Sequence, residues 1–325
     1  MRERGWFVVL SSAELKKKPV AARRFGRDLV FFRDAAGVAQ ALVDLCPHRR
    51  TKLSLGQVKG DCITCPFHGF TFDGSGACTS IPQLGPGGVI PQTMRAEAVH
   101  LREVHGFIFA WGDSESEPVG EPAWFIELTD RFSYGEFTAD WATHYSRAIE
   151  NQLDFAHLPF VHATTIGRGM SVQIDHTMQE EPGRIRYQAI AQGRTASDDV
   201  FVEWRAPNVW LLSIAPGFKN MVAFAPVDDG HTRLYLRAYQ SFMRVPGLKQ
   251  IVNALTSVTN NRVLLQDQAV VEMQTPQITA LRSDEVLLAF DRPIIAFRRQ
   301  RETWSSAPDV VSIGRRARSA EAAEG

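Results

Sequence analysis

Cysteine is scarce in this chain. Only four occur in 325 residues, Cys46, Cys62, Cys65 and Cys78, and all lie within 33 residues of one another. A secreted disulfide scaffold is shorter and far denser in cysteine, so that class is set aside in favour of a local metal or redox site. An excess of one charge is also lacking, with 36 basic residues against 36 acidic. That balance argues against a nucleic-acid binder or a polybasic membrane protein. No apolar run approaches the roughly 20 residues of a membrane span. The start, MRERGWFVVLSSAELKKK, holds an apolar run too short for a signal-peptide core, followed at once by lysines. A cytoplasmic protein without an anchor is the expectation. Dinucleotide fingerprints, flavin motifs and the plant-type ferredoxin cysteine pattern are missing, which argues against a nicotinamide- or flavin-binding chain. There is no internal repeat and no low-complexity stretch.

What is present is ordinary globular material, 44% hydrophobic and 22% charged, enough for a sizeable core. Residues 5–111 have the texture of a small β domain. Short apolar runs (Trp6–Leu10, Leu29–Phe32, Ala39–Leu45, Gly106–Trp111) alternate with turns such as Asp34–Gly37 and Asp73–Gly76. The acidic, proline-bearing stretch GDSESEPVGEP, residues 112–122, marks a boundary, giving domains 1–117 and 118–325. In the second part, 141–155 reads as a helix and 184–242 as antiparallel strands. Residues 247–274 space Leu248, Ile251, Val252, Leu255 and Val258 as a long helix does, and a shorter helix is expected over 293–304. The tail RRARSAEAAEG reads as loose.

Two constellations carry chemistry. The first is Cys46-Pro47-His48, then sixteen residues, then Cys65-Pro66-Phe67-His68. Three readings compete: a structural zinc site, buried cysteines beside chance histidines, and a Rieske-type [2Fe–2S] cluster in which two thiolates hold one iron and two imidazoles the other. Each half of the pattern offers one ligand of each kind, so two facing loops can clamp a two-iron cluster. The prolines stiffen those loops, and Gly69 lets the chain turn close to a metal.

The second is ENQLDFAHLPFVH, residues 150–162, with the spacing Asn151-x-x-Asp154-x-x-His157-x4-His162. On a continuous helix Asp154 and His157 project roughly 60° apart, but His157 and His162 roughly 140° apart, which suits one ion badly. Pro159 is expected to end the helix and let His162 bend back. Two histidines and one carboxylate with open positions form the facial triad of non-haem Fe(II) oxygenases. Isolated histidines on helices are usually core or surface residues, and His100, His105, His144, His176 and His231 are read that way.

Together these stretches resemble the ring-hydroxylating Rieske non-haem iron oxygenase α-subunits. The resemblance implies an α+β fold: an N-terminal antiparallel-β Rieske [2Fe-2S] domain and a C-terminal helix-grip (Bet v1/START-like) catalytic domain with an antiparallel sheet and a long helix. It assigns Cys46, His48, Cys65 and His68 to the cluster and leaves Cys62 a bystander. It assigns His157 and His162 to one mononuclear Fe(II), with a distant aspartate as third ligand. That aspartate is Asp267 in Gln266-Asp267-Gln268; relatives often have Glu-Asp here, and Glu272 is the rival carboxylate. Asp154 would hold His157 and meet His68 of a neighbouring subunit, which implies a ring, commonly a homotrimer. Asn151 would sit near the iron without binding it. Arg49 and Arg50 are candidates for docking an electron donor, and Phe155, Phe160 and Val161 for lining a substrate pocket.

The short length and the ending RSDEVLLAF–DRPIIAFRRQRETW resemble the vanillate and dicamba O-demethylase group. That implies monooxygenation, by hydroxylation or O- or N-demethylation, of a small hydrophobic, aromatic or polycyclic substrate. The electrons would come from a separate NAD(P)H-dependent reductase, directly or through a ferredoxin. The alternatives are an electron-transfer or redox-sensing protein with a vestigial mononuclear site, a zinc-stabilised binding module, or an arene cis-dihydroxylating dioxygenase.

Overall fold

A computed structural model describes residues 3–191, 198–243 and 248–305. Three small antiparallel sheets build the first part. One joins β1 (Trp6–Ser11), β10 (Phe107–Trp111) and β9 (Leu101–Val104) in the order β1-β10-β9. A second orders β2 (Val20–Arg24), β3 (Arg27–Arg33) and β4 (Ala39–Val43). The third orders β5 (Gln57–Lys59), β6 (Cys62–Thr64), β7 (Thr71–Asp73) and β8 (Cys78–Ser80). β1 and β10 are buried at every position, which is why their sequences WFVVLS and FIFAW are continuous apolar runs rather than alternating ones.

A seven-stranded antiparallel sheet forms the second part. Its strands are β11 (Ser133–Trp141), β12 (Ile174–Glu181), β13 (Arg184–Ala191), β14 (Phe201–Arg205), β15 (Val209–Ala215), β16 (Phe218–Asp228) and β17 (His231–Gln240). The order is β11-β17-β16-β15-β14-β13-β12, a meander from β12 to β17 with β11 added at the β17 edge. The helices are α1 (Tyr145–Leu153), α2 (Leu158–Val161), α3 (Leu248–Val271) and α4 (Arg292–Ser305). α1 and α2 fall between β11 and β12, and α3 packs on β11 and β17. A long helix laid on an antiparallel sheet is the expected helix-grip arrangement. No described helix is long and apolar enough to cross a membrane.

Period-two alternation lets this sheet serve two cores. Met221, Ala223, Ala225 and Tyr235 join Trp6, Val8, Phe107 and Phe109 of the N-terminal sheet. The intervening Val222, Phe224, Leu234 and Leu236 join Ala148, Ile149 and Leu153 of α1 and Leu264 of α3. Buried Asn208 ties the parts together: its amide donates to the Val8 and Phe224 carbonyls, and its oxygen accepts from the Val8 N–H.

Two local expectations need correction. The helix read over 141–155 covers only Tyr145–Leu153, because 133–141 is an edge strand paired from Ser133↔Gln240 to Trp141↔Thr232. His144, extended at φ −67° and ψ 143°, starts the helix by accepting the Ser146 N–H. Nor does Pro159 end that helix. The break comes at Asp154 (φ −96°, ψ 113°), and Pro159 sits in the first turn of α2, where its missing N–H costs nothing. The expected long helix is observed over 248–271, but its apolar positions from Leu248 to Val258 and the tail read as loose lie outside the residues whose side chains are described.

Candidate metal centres

The two cysteine loops share one backbone design. Each leaves a strand, 46–51 after β4 and 65–70 after β6. The Cys46 N–H donates to Thr51 O at 2.8 Å, and the Cys65 N–H to Phe70 O at 2.7 Å. The Cys46 carbonyl accepts from Arg50 and the Cys65 carbonyl from Gly69, each four residues on. Those two donors occupy matching left-handed positions, Arg50 at φ 56° and Gly69 at φ 76°. Asp44 closes the first loop by accepting from the Ser54 N–H and hydroxyl.

Matching loops bring matching side chains together. Cys46 and Cys65 are both buried, and the rings of His48 and His68 lie 4.8 Å apart. Burial, reinforced by the neighbouring Cys65, pushes the Cys46 thiol up to about 11, against the pull of the His48 and Arg49 N–H groups. A thiol held that high stays protonated at neutral pH unless a cation sits beside it. Two buried cysteines and two adjacent histidines are the donor set of a Rieske-type [2Fe–2S] cluster. Cys62 stands apart against Thr79, and Cys78 bonds the Ser80 carbonyl.

The second centre forms where α1, α2 and α3 meet. Asp154 caps α1, and its Oδ1 accepts the Ala156 N–H at 2.7 Å, which turns the chain out of the helix. His157 is the N-cap of α2 and His162 its C-cap, so five residues of sequence become one short turn with both rings on the same side. The loop beyond is cinched by Gly167 N–H to His162 O at 3.0 Å, where a Cβ would overlap the Leu158 carbonyl. Asp267 arrives from α3. Its Oδ1 lies 2.9 Å from His162 Nε2 and 3.4 Å from His157 Nε2. Ligand atoms of His157, His162 and Asp267 all fall within 4.8 Å of one another, the one such group of three or more among the described residues. Glu272 takes no part; its Oε1 accepts from the Ala142 N–H and from Gln268.

The electrostatics show a site that calls for positive charge. Burial works to raise the Asp267 carboxyl, yet hydrogen bonds from His157 and His162 outweigh it and hold the group at about 2. Burial works to lower His157, but Asp154 and Asp267 carry it up to about 9. Protons on imidazole occupy the role a cation would fill. The two outer ring nitrogens differ. His162 Nδ1 donates to Gln266 Oε1 at 3.1 Å, and Thr165 donates to the same oxygen at 2.8 Å. His157 Nδ1 has only Asp154 Oδ2 at 3.5 Å, too long for a good hydrogen bond. Both arrangements leave Nε2 aimed at the shared point, and a set of two histidines and one carboxylate with free positions fits Fe(II).

Beside this trio opens a cavity of about 530 Å³. Twelve of its twenty lining residues are apolar, and Asn151, Asp154 and Phe155 are among the lining. Asn151 lines the same cavity as the trio, with its Nδ2 buried and unpaired. Phe160 is not in the wall; it is 70% exposed on the outer side of α2, and Val161 also lies outside the cavity.

Residues 5–100 match the model of the Rieske [2Fe-2S] domain, and 141–307 that of the vanillate O-demethylase oxygenase C-terminal domain. The chain belongs to the Rieske non-haem iron oxygenase family. Cholesterol 7-desaturase of Hemicentrotus pulcherrimus is 33% identical over 174 residues, 51% of this chain and 36% of that protein. The oxygenase component of the 3-ketosteroid-9-alpha-monooxygenase of Rhodococcus rhodochrous is 33% identical over 168 residues, 49% and 43% of the two chains. The structure of NdmA from Pseudomonas putida CBB5 superposes with a TM-score of 0.76 at 25% identity, covering 92% of this chain and 90% of that one. The chain spans between 25% and 51% of the lengths of the curated relatives it matches.

For an oxygenase of this family, sequence reasoning missed the supporting residues. Gln152 Nε2 reaches Asp267 Oδ2 at 3.4 Å, and Thr165 buttresses Gln266. Beneath α1, buried Arg298 bonds both oxygens of Glu150, at 2.7 and 2.8 Å, while Arg147 bridges Glu150 and Glu285. The one signal in the sequence was the Gln266 departure from Glu-Asp, which sits next to a ligand.

Proposed function

We propose that the chain is the terminal oxygenase component of a multi-component system, consuming O2 to monooxygenate a small hydrophobic substrate by hydroxylation or by O- or N-demethylation. Its electrons come from a separate NAD(P)H-dependent reductase, directly or through a ferredoxin. The observation that carries this reading is the His157–His162–Asp267 trio opening into a mostly apolar cavity of about 530 Å³. An electron carrier has no use for such a cavity. Pockets of this size and lining suit a small organic molecule, and the sterol and steroid enzymes among the relatives favour a polycyclic or aromatic one.

In this reading the division is residues 1–117 for the cluster and 118–325 for catalysis. Cys46 and Cys65 hold one iron of a [2Fe–2S] centre, His48 and His68 the other, and His157, His162 and Asp267 hold Fe(II). When bound, these groups supply stored electrons and activate dioxygen. The protein's own part is placement. Asp154 steadies His157, Gln266 with Thr165 fixes the His162 tautomer, and Asn151 offers an unpaired amide N–H beside the trio. The apolar walls keep water away from the reacting carbon.

Within one chain, among the described residues, no hydrogen bond or ion pair links His48 or His68 to Asp154. Asp154 is partly exposed, and the surface nearby carries Phe160, Ile166, Val172 and Leu265, each more than half exposed. Around the cluster loops, Phe67 and Leu84 are exposed as well, with Arg49 lying over the Phe67 ring. Apolar patches of this kind mark interaction surfaces. They support a homotrimeric ring in which His68 of one subunit meets Asp154 of the next. Exposed Arg49 and Arg50 flank the same edge and suit an acidic electron donor. Four unpaired thiols fit a reducing cytoplasm.

The test is iron counting joined to product analysis. Protein isolated without oxygen should hold about three irons per chain, two in the cluster and one mononuclear. With NADH and a generic reductase, a screen of methoxylated aromatics, heterocycles and terpenoids should yield a product containing one atom from labelled dioxygen. His157→Ala should keep the cluster spectrum and lose the product. Two irons per chain and no product would leave an electron carrier; two labelled atoms in one product would make it a dioxygenase.

A further inference from the structure

The cavity has two polar ends. One is the metal trio. The other is a pair of carboxamides, Asn220 on β16 and Asn260 on α3, bonded to each other in both directions: Asn260 Nδ2 donates to Asn220 Oδ1 at 3.1 Å, and Asn220 Nδ2 donates to Asn260 Oδ1 at 3.4 Å. Both residues line the cavity, and both are only partly buried. Asn260 precedes Asp267 by seven residues, two helical turns, so the two share a face of α3 about 10 Å apart along its axis. Val263 and Leu264 fill the stripe between them, and Trp210, Leu212 and Leu236 face it from the sheet.

Each carboxamide has two N–H donors and an oxygen with two lone pairs. The reciprocal pair uses one donor and one lone pair from each residue. One N–H and one lone pair per residue remain for a ligand, without breaking the link. The rest of the lining is equally informative. Among the described lining residues the ionisable groups are Asp154, His157, His162 and Asp267, all at the metal end. A ligand carboxylate or sulfonate would find no cation at the amide end, and an ammonium no free carboxylate. Burying such a charge unpaired costs far more than an amide hydrogen bond returns.

We propose that Asn220 and Asn260 are specificity-determining residues that select an uncharged substrate. It has an apolar body and carries a carbonyl or hydroxyl oxygen at the end remote from the carbon presented to the trio. This rests on the oxygenase reading for the statement of which end reacts, but the selectivity itself is a binding property.

Three rigid probes of one shape test it: 2-methoxynaphthalene, 2-acetyl-6-methoxynaphthalene and 6-methoxy-2-naphthoate. They differ only at the end far from the methoxy group. Binding to the iron-loaded protein is measured by calorimetry, without reductase. The ketone should bind about 3–10-fold tighter than the unsubstituted ether, the return of one net hydrogen bond, and at least 10-fold tighter than the carboxylate. In Asn220→Leu and Asn260→Leu the ratio of ketone to ether affinity should fall to about one. The order of the three probes in the unaltered protein decides the matter even if a variant fails to fold. Equal binding of ketone and ether, binding of the carboxylate as tight as the ketone, or binding of none overturns the proposal. A protein that discriminates the probes but never turns over sinks the oxygenase reading alone; a working oxygenase that ignores the remote group sinks this one alone.

Discussion

His162 and Gln266 face each other at 3.1 Å, ring Nδ1 to amide oxygen, and Thr165 holds that oxygen from its other side at 2.8 Å. The amide oxygen can only accept, so Nδ1 carries a proton, and Nε2, 2.9 Å from Asp267 Oδ1, is the nitrogen that faces the shared centre and would be freed for a metal. His157, by contrast, looks back on a carboxylate.

Replacing Gln266 by Leu removes the acceptor and strands both the His162 N–H and the Thr165 hydroxyl. Loss of a group that orients a metal-bound histidine weakens metal binding by about 10–100-fold. Iron retained against a graded chelator should show that loss, with the cluster absorbance unchanged. Gln266→Glu keeps an acceptor and should retain iron. Equal retention in the Leu variant would mean that the amide does not orient His162.

The candidate cysteine and histidine ligands are legible because they are local, whereas Asp267, 105 residues from His162, enters only through the family resemblance. Cys-x-His, Cys-x-x-His and His-x4-His are patterns of adjacent residues, and a strand-to-loop step or a single short turn is enough to assemble each. What escaped was how the chain breaks between Asp154 and His157. Proline is the obvious breaker, yet Asp154 ends α1 first through its own bond to the Ala156 N–H. The edge strand 133–141 escaped as well. SYGEFTADW has a glycine and scattered polar residues, and its pairing with β17 is decided a hundred residues away. The same holds for Asn220 and Asn260, ordinary amides until β16 and α3 set them opposite each other.

Asp154 caps the turn after α1 in the structure and is proposed to bridge His157 to a neighbouring subunit, and one substitution separates the two roles. Asp154→Asn retains an oxygen for the Ala156 N–H, so the turn into α2 should persist. The carboxylate charge toward His157, and toward the neighbouring subunit of the proposed ring, is lost. Both iron centres should stay filled while reoxidation of the reduced cluster in rapid mixing with O2 and substrate slows by about 10–100-fold. Reoxidation at the parent rate would refute the bridging role.

The iron-free protein should respond to pH through His157. Its folded-state pKa, about 9, lies above the ordinary value of 6.5. The stability it contributes is therefore fully present below pH 6.5 and is lost as pH rises through about 9, an effect of at most about 3 kcal/mol. Asp267, held at about 2, acts at the other end: its contribution is present above its ordinary value of 3.8 and is lost only as pH falls through about 2. Melting temperatures of iron-free protein should fall between pH 6.5 and 9, and His157→Gln should flatten that fall. A flat curve in the parent would show that the Asp154 and Asp267 carboxylates do not hold a proton on His157.

Gly167 links backbone geometry to the iron site. Its N–H bonds the His162 carbonyl, and the space where a side chain would begin is filled by the Leu158 carbonyl oxygen. Both neighbours are backbone atoms of α2 and its C-cap, so neither can rotate aside as a flexible side chain would. Gly167→Ala must push the loop away from α2. The loop carries Thr165, so its bond to Gln266 weakens and His162 loses its fixed orientation. Overpacking of this kind costs about 1–3 kcal/mol. The damage should be confined to the second centre, because the cluster loops lie in the N-terminal sheets. The expected result is a purified variant with the parent's cluster spectrum, reduced mononuclear iron and little product. A variant that binds three irons and turns over normally would show that the loop can yield without moving His162.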